Sequence, residues 1–196
     1  MTTYSDYVVQ LTQCLDELVV SDKEGQFMNN EEGLHRWCSM TDHLQKINNT
    51  MYFVGNGASA MMASHMAADA SKNGGFRAMA FNDQALMTAV SNDINYEQSF
   101  AVPLKRFANS GDVLVTISSS GNSPNVIAAI EAAMELKMQV ITLSGMKQDN
   151  KSRQIGDLNF YVPAETYGLA ECSHQSILHC WLDTFMENKE GTCHLK

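Results

Sequence analysis

The amino-acid sequence predicts an α/β protein: a flavodoxin-like, doubly wound sheet of five parallel strands, preceded by two helices. Three observations carry that expectation. Short apolar runs, several rich in β-branched residues, recur at 51–54, 77–81, 113–117, 139–143 and 158–162. Segments with apolar residues at helical spacing separate them. Two of the runs pass straight into small, polar, glycine-containing turns that open onto helices, as at a βα junction. Strands that are apolar on both faces suit a parallel sheet covered by helices on either side.

Taken in order, residues 4–21 carry Tyr7, Val8, Leu11, Leu15, Leu18 and Val19 at three- and four-residue steps, which reads as an amphipathic helix. Residues 21–25 read as a turn. Asn29 or Asn30 caps a second helix, 31–46, whose apolar positions are Leu34, Trp37, Cys38, Met40 and Leu44. Both helices precede the first strand, so packing on a partner subunit is the use expected of them. Residues 1–48 are accordingly read as a helical oligomerisation segment and 49–196 as the sheet-bearing domain. After strand 51–54 comes the turn 55–59, with Ser59 as a candidate cap, and an Ala- and Met-rich helix over 60–72. Asn73, Gly74 and Gly75 end that helix. Strand 77–81 leads to a short helix capped by Asn82 or Asp83 and running to 90. A helix over 96–108 is interrupted by Pro103. Then follow strand 113–117, helix 124–137, strand 139–143, a polar segment 147–156, strand 158–162 and a last helix over 167–187.

A chain of 196 residues suits one domain, and 44% apolar against 18% charged residues is enough for a proper core. The formal net charge of −9 argues against nucleic acid as a general ligand. It does not disfavour a small anion, because backbone dipoles act locally. The cysteines Cys14, Cys38, Cys172, Cys180 and Cys193 are odd in number and form no CxxC pair. No basic, then apolar, leader opens the chain, and no apolar stretch approaches the ~18 residues of a membrane span. These features predict a reduced, cytoplasmic protein with no membrane partner. The 13 methionines are read as packing residues.

The turn after 113–117 is the most informative stretch. Ser118, Ser119, Ser120, Gly121 and Asn122 lead to Ser123, which stands directly before Pro124. Serine at the N-cap and proline at the first helical position mark a helix start. Strand, hydroxyl-rich turn and helix N-terminus together gather donors and the positive end of a helix dipole, which suits a phosphate group. The stretch has no Lys or Arg, so it is not a Walker loop. An ordinary βα turn with solubilising serines fits the local pattern too. In doubly wound sheets, ligands lie beyond the carboxyl ends of the strands where strand order reverses. Both this turn and the Gly55–Ser59 turn are placed at such ends.

Together, the Gly55–Ser59 and Ile117–Ser123 stretches resemble the two phosphosugar loops of the sugar isomerase (SIS) domain, and more closely those of its phosphoheptose isomerase branch. The resemblance runs from about 51 to 185 and includes Asn92, Asp93, the lead-in at 111–114 and the stretch 140–145. It implies a homotetramer with sites at subunit interfaces. It also implies that Asn56, Gly57, Ala58, Ser59, Asn92, Asp93, Ser118, Ser119, Ser120 and Ser123 hold a phosphorylated sugar, with Ser118, Ser120 and Ser123 on the phosphate.

The resemblance further maps a metal site, with two changes. Where the family has His and Glu four residues apart, this chain has His65 and Asp69; where it has Gln and His eight apart, this chain has Glu171 and His179. One helical turn separates His65 from Asp69, so they share a face. Eight steps leave Glu171 and His179 about 80° apart around the axis. Two imidazoles and two carboxylates suit zinc, and nickel, cobalt or iron would also accept them. Read singly, each has a plainer explanation: a surface i,i+4 pair for His65 and Asp69, a core histidine for His179, a helix-dipole partner for Glu171.

The expected activity is an aldose–ketose isomerisation of sedoheptulose 7-phosphate by metal-assisted proton transfer, with Asp69, Glu171 and His179 as its catalytic groups. Asp69 is shorter than Glu by about 1.5 Å, so the base role falls to either Asp69 or Glu171. The alternatives are an isomerase of another phosphosugar, and a non-catalytic SIS protein that binds a sugar phosphate or a replication-initiator partner.

Overall fold

The computed structural model describes residues 3–190. Helix α1 spans Tyr4–Asp16, and the strands β1 (Val19–Asp22) and β2 (Phe27–Met28) form a hairpin before α2 (Asn30–Lys46). Then come β3 (Thr50–Gly55), α3 (Ala58–Lys72), β4 (Arg77–Ala80), α4 (Gln84–Asp93), a 3₁₀ turn (Tyr96–Gln98) and α5 (Ala101–Phe107). The chain continues through β5 (Val113–Ser118), α6 (Pro124–Glu135), β6 (Gln139–Gly145), α7 (Lys151–Ile155), β7 (Leu158–Val162) and α8 (Tyr167–Glu190).

The sheet order is β2-β1-β7-β6-β5-β3-β4. The last five strands of that order are parallel and have the expected doubly wound arrangement, with the reversal between β3 and β5. Side chains alternate across the sheet: Met51 and Phe53 face one helical layer, Tyr52 and Val54 the other. The first layer holds α1, α2, α3 and α8; the second is built around α5 and α6.

Seven strands stand where five were expected. The additional pair comes from the N-terminal segment, where α1 stops at Asp16 and Val19–Asp22 pairs antiparallel with β7, Val19 opposite Tyr161 and Asp22 opposite Leu158. The helical reading to residue 21 failed because Leu18 and Val19 continue the helical spacing. The bonds that make this segment a strand come from the edge of β7, distant in sequence, and from β2 across the hairpin. The segment predicted as one helix over 96–108 is a 3₁₀ turn followed by α5, and the polar stretch 147–156 contains α7.

The helices of the N-terminal segment also have work within the chain. Trp37 of α2 stacks on Trp181 of α8 at 4.4 Å between ring centres, and the Trp181 indole N–H donates to Thr41 Oγ1 at 3.2 Å. Tyr7 of α1 donates its hydroxyl to Cys172 Sγ at 3.5 Å, which fixes α1 beside the first turns of α8. Local signals set the helix starts. Thr3 and Asp6 form a reciprocal capping box on α1, and Asn29 caps α2 through the Glu32 amide at 2.8 Å. Cys193 lies outside the described residues; Cys14, Cys38, Cys172 and Cys180 are free thiols. Among the described residues no helix is long and apolar enough to cross a membrane.

The loop after β6 clamps the serine turn after β5. The Gly145 amide donates to Ser119 O at 3.1 Å, the Ser152 amide to Gly121 O at 3.0 Å, and the Lys151 amide to Asn122 Oδ1 at 3.0 Å. Gly121 adopts φ +61°, and a β-carbon there would run into the Asn150 side chain. Asn150 itself donates to Lys147 O at 2.9 Å and to Ser144 Oγ at 3.2 Å. Gly121→Ala is therefore expected to lower stability by about 2 kcal/mol or more, from backbone strain and overpacking together; urea unfolding of the two proteins measures it.

His174 of α8 is fully buried, and neither ring nitrogen meets a hydrogen-bond partner. Burial pushes its pKa down from about 6.5 to about 4, opposed by the Ser144 backbone. The unfolded chain takes up a proton on this ring below about pH 6.5, and the folded chain does so only near pH 4. The neutral ring's contribution is thus complete above pH 6.5 and is lost as pH falls toward 4. Across that window the wild type should lose up to about 3 kcal/mol more than His174→Leu, read from urea midpoints at several pH values.

Candidate functional site

β5 and β3 are hydrogen-bonded neighbours, with Gly55 opposite Ile117 at their carboxyl ends. The absence of a side chain at Gly55 permits that approach: a β-carbon would come within 2.8 Å of Ile117 O and 2.7 Å of Ser59 Cβ. The two predicted loops therefore face each other across the crevice where strand order reverses.

Ser123 is the N-cap of α6 and Pro124 its first residue, as expected. The Ser123 hydroxyl makes no capping bond; it lies 3.4 Å from Ser118 Oγ. Hydroxyls left free by the helix are available to a ligand at its N-terminus, where Pro124 has no N–H and the Val126 and Ile127 amides turn back to Ser123 O at 3.0 Å. On the other side, Gly57 (φ +58°) caps α3, a conformation that favours glycine. Ser59, expected as the cap, is instead the second helical residue, and its amide donates to Asn56 O at 3.0 Å. Between the loops is a pocket of about 180 Å³ lined by Asn56, Ser59, the serines 118, 119, 120 and 123, Ile117, Tyr167 and Glu171.

The predicted sugar-binding residues thus divide. Asn56, Ser59, Ser118, Ser119, Ser120 and Ser123 share the pocket. Gly57 and Ala58 are exposed beside it, at the start of α3. Asn92 and Asp93 are exposed at the end of α4, where the Asn92 amide donates to Asp93 Oδ1 at 2.8 Å, and they do not line the pocket. A wider hollow of about 670 Å³ opens at the other ends of β3 and β4, around Thr50 and Arg77, and no candidate site residue lines it.

His65 and His179 meet from α3 and α8, with ring centres 5.3 Å apart at 60°. His65 Nε2 lies 3.4 Å from Asp69 Oδ2. One ligand atom from each of His65, Asp69 and His179 falls within 4.8 Å of the others, the one such group among the described residues. Two imidazoles and a carboxylate are a donor set suited to a divalent transition metal, and three protein ligands leave a coordination position open. Glu171, expected to converge with His179, lines the serine pocket instead and stands outside that group. The angular argument left out the rise along the helix: eight residues advance about 12 Å. The carboxylate of Asp69 is also engaged by the Asn73 amide at 3.4 Å.

Sequence reasoning overlooked Tyr167, which enters the pocket from the start of α8, Asn125 and Tyr96, which bond Asn56, and Ser99, which bonds Asn125. For Asn125 a signal existed: it is an amide within the otherwise apolar buried stripe of its helix.

The SIS domain family matches residues 26–145, which carry both loops, His65 and Asp69. Phosphoheptose isomerase of Thiobacillus denitrificans is 39% identical over 137 residues, covering 66% of this chain and 70% of the relative. That of Aromatoleum aromaticum is 38% identical over 141 residues, covering 66% and 69%. The structure of phosphoheptose isomerase from Neisseria gonorrhoeae superposes with a TM-score of 0.79 at 26% identity, covering 92% of this chain and 96% of that one. The Vibrio vulnificus NanR protein, in complex with ManNAc-6P, shares the fold at a TM-score of 0.67 and 16% identity, over 94% of this chain and 60% of that one. The chain belongs to the SIS domain family, in its phosphoheptose isomerase branch.

Proposed function

We propose that this protein is an aldose–ketose isomerase that converts sedoheptulose 7-phosphate into a heptose 7-phosphate. The relatives named above as phosphoheptose isomerases support the substrate class. The observation that carries the reading is the placement of α8. Its Glu171 lines the serine pocket, and two turns further on its His179 faces His65 and Asp69. One helix joins an anion cradle to a metal-suited cluster, with eight residues, about 12 Å of helical rise, between the two side chains it contributes.

In this reading the hydroxyls of Ser118, Ser120 and Ser123 bind the phosphate, at the positive end of the α6 dipole. Asn56, Ser59 and Ser119 bind the sugar. Gly57, Ala58, Asn92 and Asp93 join them in the assembled protein. His65, Asp69 and His179 would hold a divalent ion, zinc by the donor set, while Glu171 stands at the pocket wall. Such an ion supplies Lewis-acid polarisation of a carbonyl. Glu171 is the base: its carboxylate takes the proton from one carbon and returns it to the neighbouring one through an enediol. Asp69, engaged by His65 and Asn73, serves the metal, and His179 handles oxygen-bound protons.

A homotetramer is part of the same proposal. The exposed Val8 and Val9 of α1 and Met61 of α3 support it, as does the distance of Asn92 and Asp93 from the pocket. A cytoplasmic location is supported by the four free thiols.

Purified, zinc-loaded protein should convert sedoheptulose 7-phosphate, stop after chelation and resume when zinc is returned. Absence of conversion of every C5–C7 sugar phosphate tested would instead support a binding protein. Glu171→Gln should lower kcat by about 10²-fold or more, the scale of general acid–base help, while metal content by elemental analysis is unchanged. Retained turnover would move the base role to Asp69.

A further inference from the structure

Asn56 enters the pocket with its carboxamide already engaged. Its Oδ1 accepts from Tyr96 Oη at 2.8 Å and from Asn125 Nδ2 at 2.9 Å. Its Nδ2 donates to Asn125 Oδ1 at 2.9 Å. A carboxamide oxygen has two lone pairs and the nitrogen two hydrogens. Both acceptor positions are therefore filled, and one N–H is left. Asn125 is 1% exposed, and it spends its second N–H on the fully buried Ser99 hydroxyl at 3.2 Å. This reciprocal amide pair ties the β3–α3 loop to the first turn of α6, and Ser99 and Tyr96 tie both to the segment before α5.

We infer that Asn125, with Tyr96, is a positioning residue that fixes the polarity of the Asn56 carboxamide, so that Asn56 meets its ligand as a hydrogen-bond donor only. The inference rests on the reading of the pocket as a sugar-phosphate site and deepens it. A donor-only amide selects acceptor oxygens, such as those of a phosphate ester or a sugar carbonyl. Turning Asn56 alone would set like groups against each other across the pair, so Asn56 can turn over only together with the buried Asn125, and that joint turn would place the Asn56 oxygen toward the pocket, against an anion. A buried pair of this kind holds its arrangement firmly because an unpaired partner is costly.

Asn125→Asp tests the claim through its charge state. An ionised carboxylate offers acceptors only, so one contact with Asn56 Oδ1 becomes repulsive and the reciprocal pair fails. A protonated carboxyl has one donor and one acceptor and restores it. Binding of inorganic phosphate and of sedoheptulose 7-phosphate should be measured at pH 8.5 and pH 5.5 for the variant and the wild type. Taking their ratio at each pH cancels the titration of the ligand, which is common to both measurements. The variant should bind about tenfold more weakly at pH 8.5, the scale of one lost hydrogen bond to a charged group, and approach the wild type at pH 5.5. At pH 8.5 the loss should fall on KM more than on kcat. A ratio near one at both pH values overturns the inference. So does an equal loss at both, which is the mark of a merely structural link. Should the variant not fold, Tyr96→Phe, at a half-exposed ring, is measured in its place: weaker binding of both ligands is expected, and unchanged binding contradicts the inference. A wild type that binds neither ligand overturns the reading of the pocket itself.

Discussion

The pairing of β3 with β5 at their carboxyl ends is the constraint from which the site follows. Gly55 lies against Ile117 with no side chain between them, so the backbones that carry the two loops emerge side by side. Helix α3 leaves from one loop and α6 from the other. The first brings His65 and Asp69; the second presents the uncommitted hydroxyl of Ser123 at its N-terminus. A parallel sheet with a reversal in strand order opens a crevice at that point, and here small side chains line it. A larger residue at position 55 would separate the loops before any ligand arrived.

Helix α8 turns that crevice into a site with two ends. Its depth in the core is set by Trp181, which stacks on Trp37 and bonds Thr41, and by His174, a neutral imidazole packed without a partner. With the helix fixed there, its rise of about 1.5 Å per residue acts as a ruler between Glu171 and His179. The replacement of the family's Gln by Glu171 puts a carboxylate at the pocket wall, while the shorter Asp69 is occupied by His65 and Asn73. The segment ahead of the sheet contributes as well, since Tyr7 and Trp37 hold α8 from the outside.

Much of this was legible because it is local. Ser123 before Pro124 announces a helix start, and His65 and Asp69 lie one turn apart whatever surrounds them. The five parallel strands were legible because buried strands need unbroken apolar runs. What escaped depends on partners distant in sequence. Val19–Asp22 becomes a strand between β2 and the distant β7, and local spacing favoured a helix there. Asn125 gains its meaning only when Asn56, 69 residues earlier, lies opposite it. The resemblance to the family located Glu171 in the sequence. Its place over the serines rather than among the imidazoles follows from an axial distance that a projection around the helix omits.

The central claim is that one crevice holds the phosphate at the serine loop and a metal ion at the histidines, joined by α8. A crystal structure of the protein with zinc and sedoheptulose 7-phosphate, read at the zinc absorption edge, tests it most directly. The account predicts an anomalous peak about 2.0–2.1 Å from ring nitrogens of His65 and His179, with the phosphate against Ser118, Ser120 and Ser123. Zinc bound away from both histidines, or a phosphate seated outside the serine loop, would contradict it.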